Sequence, residues 1–274
     1  MSTLYLVSTP IGNLEDFSPR AVRILKEVGL IAAEDTRHTA KLLNHFGIET
    51  HSTSYYDHNK GQKLDKVIEA LATGDVALVS DAGTPGLNDP GYLLVRAALD
   101  AGHTVSPIPG PSAPVSALVV SGLPTDRFLY LGYLPRKGGE RRRAVEEVQA
   151  LPYTLIFFET PHRMDESLTD LEDILGDREI AVAGELTKLY EEVFRGTISE
   201  AREHFQAHPA RGEYTLVIAG QSRDDKVWEE ADLRQALASP PYIQMPPSQA
   251  ARELAERSGW PRRKIYNILT ETSD

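Results

Sequence analysis

The stretch at residues 76–91, VALVSDAGTPGLNDPG, constrains the fold more than any other. The apolar run Val76-Ala77-Leu78-Val79 closes on Ser80 and breaks abruptly into Asp81-Ala82-Gly83-Thr84-Pro85-Gly86. Gly83, Gly86, Gly91, Pro85 and Pro90 then fall within a few residues of one another. The run has the length and β-branched content of a strand buried on both faces. The segment after it holds too much Gly and Pro for a helix, and it delivers an acid and two hydroxyls to the strand's carboxyl end. In open α/β sheets, ligands bind at that end.

The same unit recurs along the first half. A strand at 4–8 runs into Thr9-Pro10-Ile11-Gly12-Asn13, and Ser18 with Pro19 reads as the capped start of a helix. A strand at 30–33 opens into Glu34-Asp35-Thr36-Arg37-His38, where Asp35 or Thr36 caps the next helix or orients a polar ligand. A β-prone run at 50–54 leads to Tyr55-Tyr56-Asp57-His58-Asn59-Lys60, residue types that stack on and hydrogen-bond a base. Helical periods follow at 63–72 and 92–101. A strand at 105–108 then runs into Pro109-Gly110-Pro111-Ser112, with Ser112 capping a helix through Ser121. If the sheet is parallel, the loops at 10–13, 34–37, 81–90 and 110–112 meet at one edge.

Residues 123–126 read as a linker to a second α/β region. A strand at 128–134 precedes Pro135-Arg136-Lys137-Gly138-Gly139-Glu140-Arg141-Arg142-Arg143, a basic segment in an otherwise acidic chain. Basic residues at a helix start oppose the macrodipole, so contact with a phosphate backbone is the functional reading. Strands at 154–158, 180–184, 192–196 and 215–219 follow, with Ser199 read as a helix cap. Their close late spacing points to a mixed sheet. After a polar linker, a Pro-rich spacer leads to a capped helix from Ser248, a Gly259-Trp260-Pro261 turn and a basic helix, laid out like a helix-turn-helix. The expected domains are 1–122, 127–222 and 228–274.

The chain of 274 residues has no cysteine, which excludes disulfides, thiolate nucleophiles and Cys-ligated zinc and fits a cytoplasmic setting. No membrane span or signal peptide is expected. The net charge of −11 disfavours generic polyanion binding, so any nucleic-acid contact rests on local basic patches. Neither G-x-G-x-x-G nor G-x-x-x-x-G-K-[ST] occurs, so dinucleotide and P-loop chemistry are not indicated.

TPIGNL, AAEDTRHT, DHN, SDAGTP with DPG, GPS, ETPHR, GELTK and GEYTLVI occur in that order over residues 9–218. Together they resemble the bacterial small-subunit ribosomal RNA 2′-O-methyltransferase I family, within the tetrapyrrole methylase superfamily. Ser8 before Thr9-Pro10 and Asn88 before Asp89-Pro90-Gly91 depart from its usual pattern.

The resemblance implies two α/β domains of the tetrapyrrole methylase type, a parallel-sheet N-terminal one and a mixed-sheet C-terminal one, plus a small helical extension. It implies a homodimer that moves the methyl of S-adenosylmethionine to the ribose 2′-hydroxyl of a decoding-centre cytidine in 16S rRNA. The cofactor contacts it implies are Pro10, Ser80, Asp81, Gly83, Thr84, Ser112, Ala113, Phe158, Thr160 and Leu186.

An in-line displacement needs positioning above all, with a base or an orienting group beside the weakly nucleophilic hydroxyl. Asp35, His58 and Lys188 are the candidates, with Arg37 and Arg163 to hold phosphate. Arg136, Lys137, Arg141, Arg142 and Arg143 are the further candidate RNA contacts, and no metal is expected. The rival readings are the same fold acting on a tetrapyrrole or a protein side chain, and a nucleotide-sensing regulator that binds DNA through its tail.

Overall fold

The computed structural model describes residues 2–55, 60–208, 212–221 and 228–271. The chain forms two compact units, Met1–Ala219 and Gly220–Asp274.

The first unit holds two five-stranded sheets. The first is built from β1 (Thr3–Val7), β2 (Leu30–Ala33), β3 (Ser52–Ser54), β4 (Val76–Val79) and β5 (Thr104–Ile108), in the order β3-β2-β4-β1-β5. All its pairings are parallel, and β4 lies at the centre with Ala77 opposite Tyr5 on one side and Ile31 on the other. This centrality explains the unbroken apolar run. Ala77 and Val79 enter a core with Ile24 and Leu25 of α1 (Pro19–Glu27) and Leu43 of α2 (Thr36–His45). Val76 and Leu78 point the other way, against Val67 and Leu71 of α3 (Lys60–Thr73) and Leu94 and Ala98 of α4 (Tyr92–Asp100). A strand with helices on both faces has no solvent side, so polar alternation disappears.

The second sheet comprises β6 (Phe128–Tyr133), β7 (Thr154–Glu159), β8 (Glu179–Gly184), β9 (Glu192–Thr197) and β10 (Tyr214–Ile218), in the order β6-β7-β10-β8-β9. Only β6 and β7 run parallel, so the sheet is mixed as expected. Its outer face packs Leu155, Phe157, Leu216 and Val182 against α7 (Met164–Leu175) and α8 (Ile198–Ala207), and against Val145 of α6 (Gly138–Glu146). Its other face packs Ile156, Ala181, Ala183 and Val217 against Ala117 and Leu118 of α5 (Ala113–Ser121). The segment 1–122 therefore ends in a helix that packs on the other sheet. Two expected caps differ. Thr197, not Ser199, caps α8, in a reciprocal box with Glu200, while Ser199 is held by Asp177. Ser112 occupies the cap position of α5 but makes no capping bond.

The second unit contains α9 (Glu230–Leu237), α10 (Pro247–Ser258) and α11 (Arg262–Glu271). Leu233, Leu237, Ala251, Leu254 and Ile265 form its core. Pro246 rather than Ser248 precedes the first turn of α10, with Pro247 at its start. The Arg257 guanidinium lies over the Trp228 and Tyr242 rings, 5.9 and 5.8 Å from their centroids. Among the described residues, no helix is long and apolar enough to cross a membrane.

Candidate functional site

The carboxyl ends of β1, β2, β4 and β5 deliver their loops to one edge, and those loops are hydrogen-bonded to one another. Thr9 and Gly83 exchange backbone bonds of 2.9 and 3.0 Å, and the Thr9 hydroxyl donates to the Ser80 carbonyl at 3.2 Å. The Asp81 amide donates to Glu34 Oε2 at 3.1 Å, while Asp81 Oδ1 accepts from the Asp35 amide at 3.2 Å. Thr84 Oγ1 donates to the Pro111 carbonyl at 3.3 Å and lies 3.1 Å from the Ser8 hydroxyl. Gly83 has φ +76°, a left-handed conformation that a side chain would strain. Each short hydroxyl or acid thus satisfies a backbone group of a neighbouring loop, and the edge becomes a rigid floor.

Over that floor lies a cavity of about 410 Å³. Asp81, Gly83, Thr84, Asn88, Asp89, Ser112 and Ala113 line it from one side of the sequence, and Tyr133, Phe158, Leu186, Lys188 and Glu213 from the other. Its polar lining is dominated by carboxylates: Glu34, Asp81, Asp89, Glu185 and Glu213, against the ammonium of Lys188. Lys188 is spent on Glu185 at 2.8 Å and holds that carboxylate below its ordinary range, which leaves the other acids uncompensated by it.

Asp89 shows the consequence. Burial first, then the charge of Glu34, pushes its carboxyl up to about 6, against the Ser80 hydroxyl, which favours the ionised form. A carboxyl brought toward neutral pH by desolvation and like charge suits a cationic ligand.

The aromatic wall comes from β6 and β7. Phe158 has Tyr130 and Tyr133 at ring-centroid distances of 5.4 and 5.2 Å. Burial raises both phenols above their ordinary range, so they stay protonated. The Tyr130 hydroxyl donates to Asn88 Oδ1 at 2.8 Å. Asn88 sits at φ +64°, which Asn tolerates better than most residues, and a Cβ on Gly132 would fall on its amide. The 185–188 turn is also held in unusual backbone, with Glu185 at φ +49° and Thr187 at φ +66°. Strain of this kind collects at ligand sites.

Of the residues named from the sequence, Asp81, Gly83, Thr84, Ser112, Ala113, Phe158, Leu186 and Lys188 line the cavity. Pro10, Ser80 and Thr160 do not; Ser80 lies buried beneath it. His58 lies outside the described residues. Tyr55 is a core residue packed with Ala32 and Val67, so it offers no stacking face.

Asp35 is corrected as a base. Its carboxylate caps α2 by accepting from the Arg37 amide at 2.8 Å and pairs with the Arg37 guanidinium, also at 2.8 Å. Those bonds hold it far below the carboxylate range, so it takes up no proton near neutral pH. Arg37 is exposed and folded onto Asp35, away from the cavity lining. Asn caps almost as well as Asp, and an exposed ion pair contributes little. Asp35→Asn is expected to keep turnover within about two-fold and to leave the melting temperature little changed. Turnover and thermal melting of that variant check this; a hundred-fold loss of turnover in a folded protein would restore the base.

The basic segment is also corrected. Arg141 is buried and bound by Asp170 at 2.6 Å and Glu166 at 3.5 Å, and Arg142 is shared between Asp170 at 2.7 Å and Asp173 at 3.0 Å. Arg163 is mostly buried, paired with Glu159 at 2.5 Å and donating to the Leu134 carbonyl at 2.9 Å. These guanidinium groups join α6 to α7 and β6 to the β7 loop; Arg141 and Arg163 are turned inward, out of reach of a phosphate backbone, while Arg142 stays at the surface with its charge shared between two carboxylates. Lys137 is exposed and pairs with Glu140 at 2.9 Å; Arg136 and Arg143 are exposed.

Asp89, Glu213, Tyr133 and Asn88 were not singled out from the sequence as site residues. The D-P-G tripeptide after the central loop was the available signal for Asp89. Among the described residues, no group of three or more His, Asp or Glu could hold a metal ion.

A family model described as tetrapyrrole (corrin/porphyrin) methylases matches residues 3–202. The chain belongs to the tetrapyrrole methylase family. Relatives of this tetrapyrrole methylase include proteins named ribosomal RNA small subunit methyltransferase I. That of Synechocystis sp. is 47% identical over 274 residues, covering 99% of this chain and 98% of the relative. That of Bacillus subtilis is 43% identical, covering 97% and 94%. Solved structures agree on the tetrapyrrole methylase fold. A diphthine synthase superposes with TM-score 0.64 at 14% identity, over 81% of this chain and 91% of that one. A uroporphyrin-III-C-methyltransferase from Thermus thermophilus does so with TM-score 0.56 at 19% identity, over 80% and 94%.

Proposed function

We propose that this tetrapyrrole methylase transfers a methyl group from S-adenosylmethionine to small-subunit ribosomal RNA, at the ribose 2′-hydroxyl of a decoding-centre cytidine. The observation that carries the reading is the acid-lined cavity on the glycine loops, in a chain so similar throughout its length to proteins of that name. Bound in that cavity, S-adenosylmethionine supplies an electrophilic methyl group carried on a cationic sulfur.

The residues present fit such a donor. Asp81, Asp89 and Glu213 offer negative charge to a sulfonium and an ammonium; Phe158 and Leu186 offer apolar faces to an adenine; Ser112 lines the cavity at the start of α5 with a hydroxyl not used to cap that helix. Gly83 lets the backbone come close. Lys188, anchored by Glu185, orients the acceptor at the cavity wall. Exposed Arg136, Lys137 and Arg143 steer the RNA backbone on a chain that otherwise repels it. The protein works in the cytoplasm as a homodimer. Val115 and Val119 of α5, 48% and 65% exposed and one helical turn apart, mark the face proposed to lie within a larger surface between copies.

A ribose-methylation map of small-subunit RNA, taken from cells with and without the protein, tests the reading. One cytidine 2′-O-methyl mark should vanish without the protein and return when the purified protein and donor act on unmethylated subunits. An unchanged map would overturn it.

A further inference from the structure

We propose that Leu189 and Tyr190, at the tip of the turn between β8 and β9, form a stacking contact for bases of the RNA substrate beside the cavity mouth. The inference rests on the RNA reading above and deepens it.

These are the two most exposed large hydrophobic side chains among the described residues, 89% and 80% exposed. Nothing within the fold is gained by keeping them apolar there, since they bury almost none of their surface. They follow directly on Leu186 and Lys188, which line the cavity. The turn that carries them is held at several points. The Lys188 amide donates to the Glu185 carbonyl at 2.9 Å, the Glu191 amide to the Lys188 carbonyl at 3.2 Å, and the Thr187 amide to Glu191 Oε2 at 2.6 Å. Below, a Cβ on Gly12 would come within 2.9 Å of the Leu186 carbonyl and the Thr187 hydroxyl, so the β1 loop braces the turn from the sheet edge. A braced turn presenting an aromatic ring loses little freedom when the ring is covered.

The neighbours say what covers it. Glu191 and Glu192 follow the tip, so a phosphate is repelled there while the face of a base is not. Every base has such a face, and bases of single-stranded or looped RNA are splayed enough to use it. A second copy of the chain is a poorer fit. A stable interface needs about 1,000 Å² with good complementarity, more than two side chains on a turn provide.

The test uses the full chain and unmethylated small ribosomal subunits, comparing wild type with Tyr190→Ala, Leu189→Ala/Tyr190→Ala and Tyr190→Phe. KM for subunits, kcat, calorimetric donor affinity, the salt dependence of subunit binding and the mass in solution are measured. Tyr190→Ala is expected to raise KM roughly ten-fold, the loss of one base–aromatic stack, with kcat and donor affinity unchanged. Its salt slope should match wild type, because no phosphate contact is lost. Tyr190→Phe should restore the wild-type KM, since the ring rather than the hydroxyl stacks. An unchanged KM in the double variant would overturn the proposal, as would a flattened salt slope. A halved mass would overturn it in favour of a contact between copies. Failure of the wild type to methylate subunits despite binding donor would instead strike at the RNA reading itself.

Discussion

Asp89→Asn is expected to weaken S-adenosylmethionine binding by about 100-fold, the size of one partly screened charge pair, while leaving the fold intact. Asp89 lines the cavity with its carboxyl pushed up to about 6 by burial and by Glu34, and Asn matches its shape without its charge. The pH dependence of the wild type follows with a definite sign. A cationic donor favours the ionised carboxylate, so binding near pH 6 should release protons, and affinity should fall as pH is lowered through 6. Calorimetry in buffers of different ionisation enthalpy reads the released protons directly. The demethylated product lacks the sulfonium charge and should release fewer.

Stability of the donor-free protein should move in the opposite sense. The native carboxyl is raised from its ordinary value of 3.8, so its contribution is greatest at low pH and is lost as pH rises through 6. At pH 7.5, Asp89→Asn should therefore melt no lower than wild type. A variant that binds donor as tightly as wild type would remove Asp89 from the site. One that melts well below it would make Asp89 structural.

The second large effect concerns stability alone. Asp170→Ala is expected to cost about 3–5 kcal/mol, because it takes from the buried Arg141 guanidinium the nearer and better buried of its two carboxylates. Arg141 is 4% exposed, and its Nη1 finds no hydrogen-bond partner among the described residues, so Asp170 at 2.6 Å is its chief counter-charge and Glu166 at 3.5 Å a longer, largely exposed second one. The melting temperature should fall by about 6–20 °C for a unit of this size. Arg141→Met with Asp170→Leu should recover most of that loss, since two apolar side chains leave no charge to satisfy. Arg142 then keeps Asp173 at 3.0 Å. A normal melt for Arg141→Met combined with weakened RNA binding would return Arg141 to the RNA surface.

These two sites show where reading the chain succeeds and where it stops. The strand at 30–33 and the central run at 76–79 were legible because burial on both faces demands a short unbroken apolar stretch between turn signals. The convergence of the loops followed from parallel pairing. The arginines at 141–143 looked alike on paper, however, and only packing against α7 turned Arg141 inward and left Arg143 outside. Asp35 looked like a base because an acid at a strand's carboxyl end can serve either chemistry or a cap. The decision lay in where the Arg37 amide and guanidinium fell.

What the order of residues determined by itself was local: which stretches are strands or helices, which loops lie at the sheet edge, and which family pattern they carry. What the tertiary structure alone decided was the electrical character of the site. Glu34, Asp89 and Glu213 are far apart in sequence and become one charged cluster only when β2, β4 and β10 bring their ends to a common cavity. A carboxyl's proton affinity depends on its distance from water and from other charges, and neither distance exists until the chain is folded.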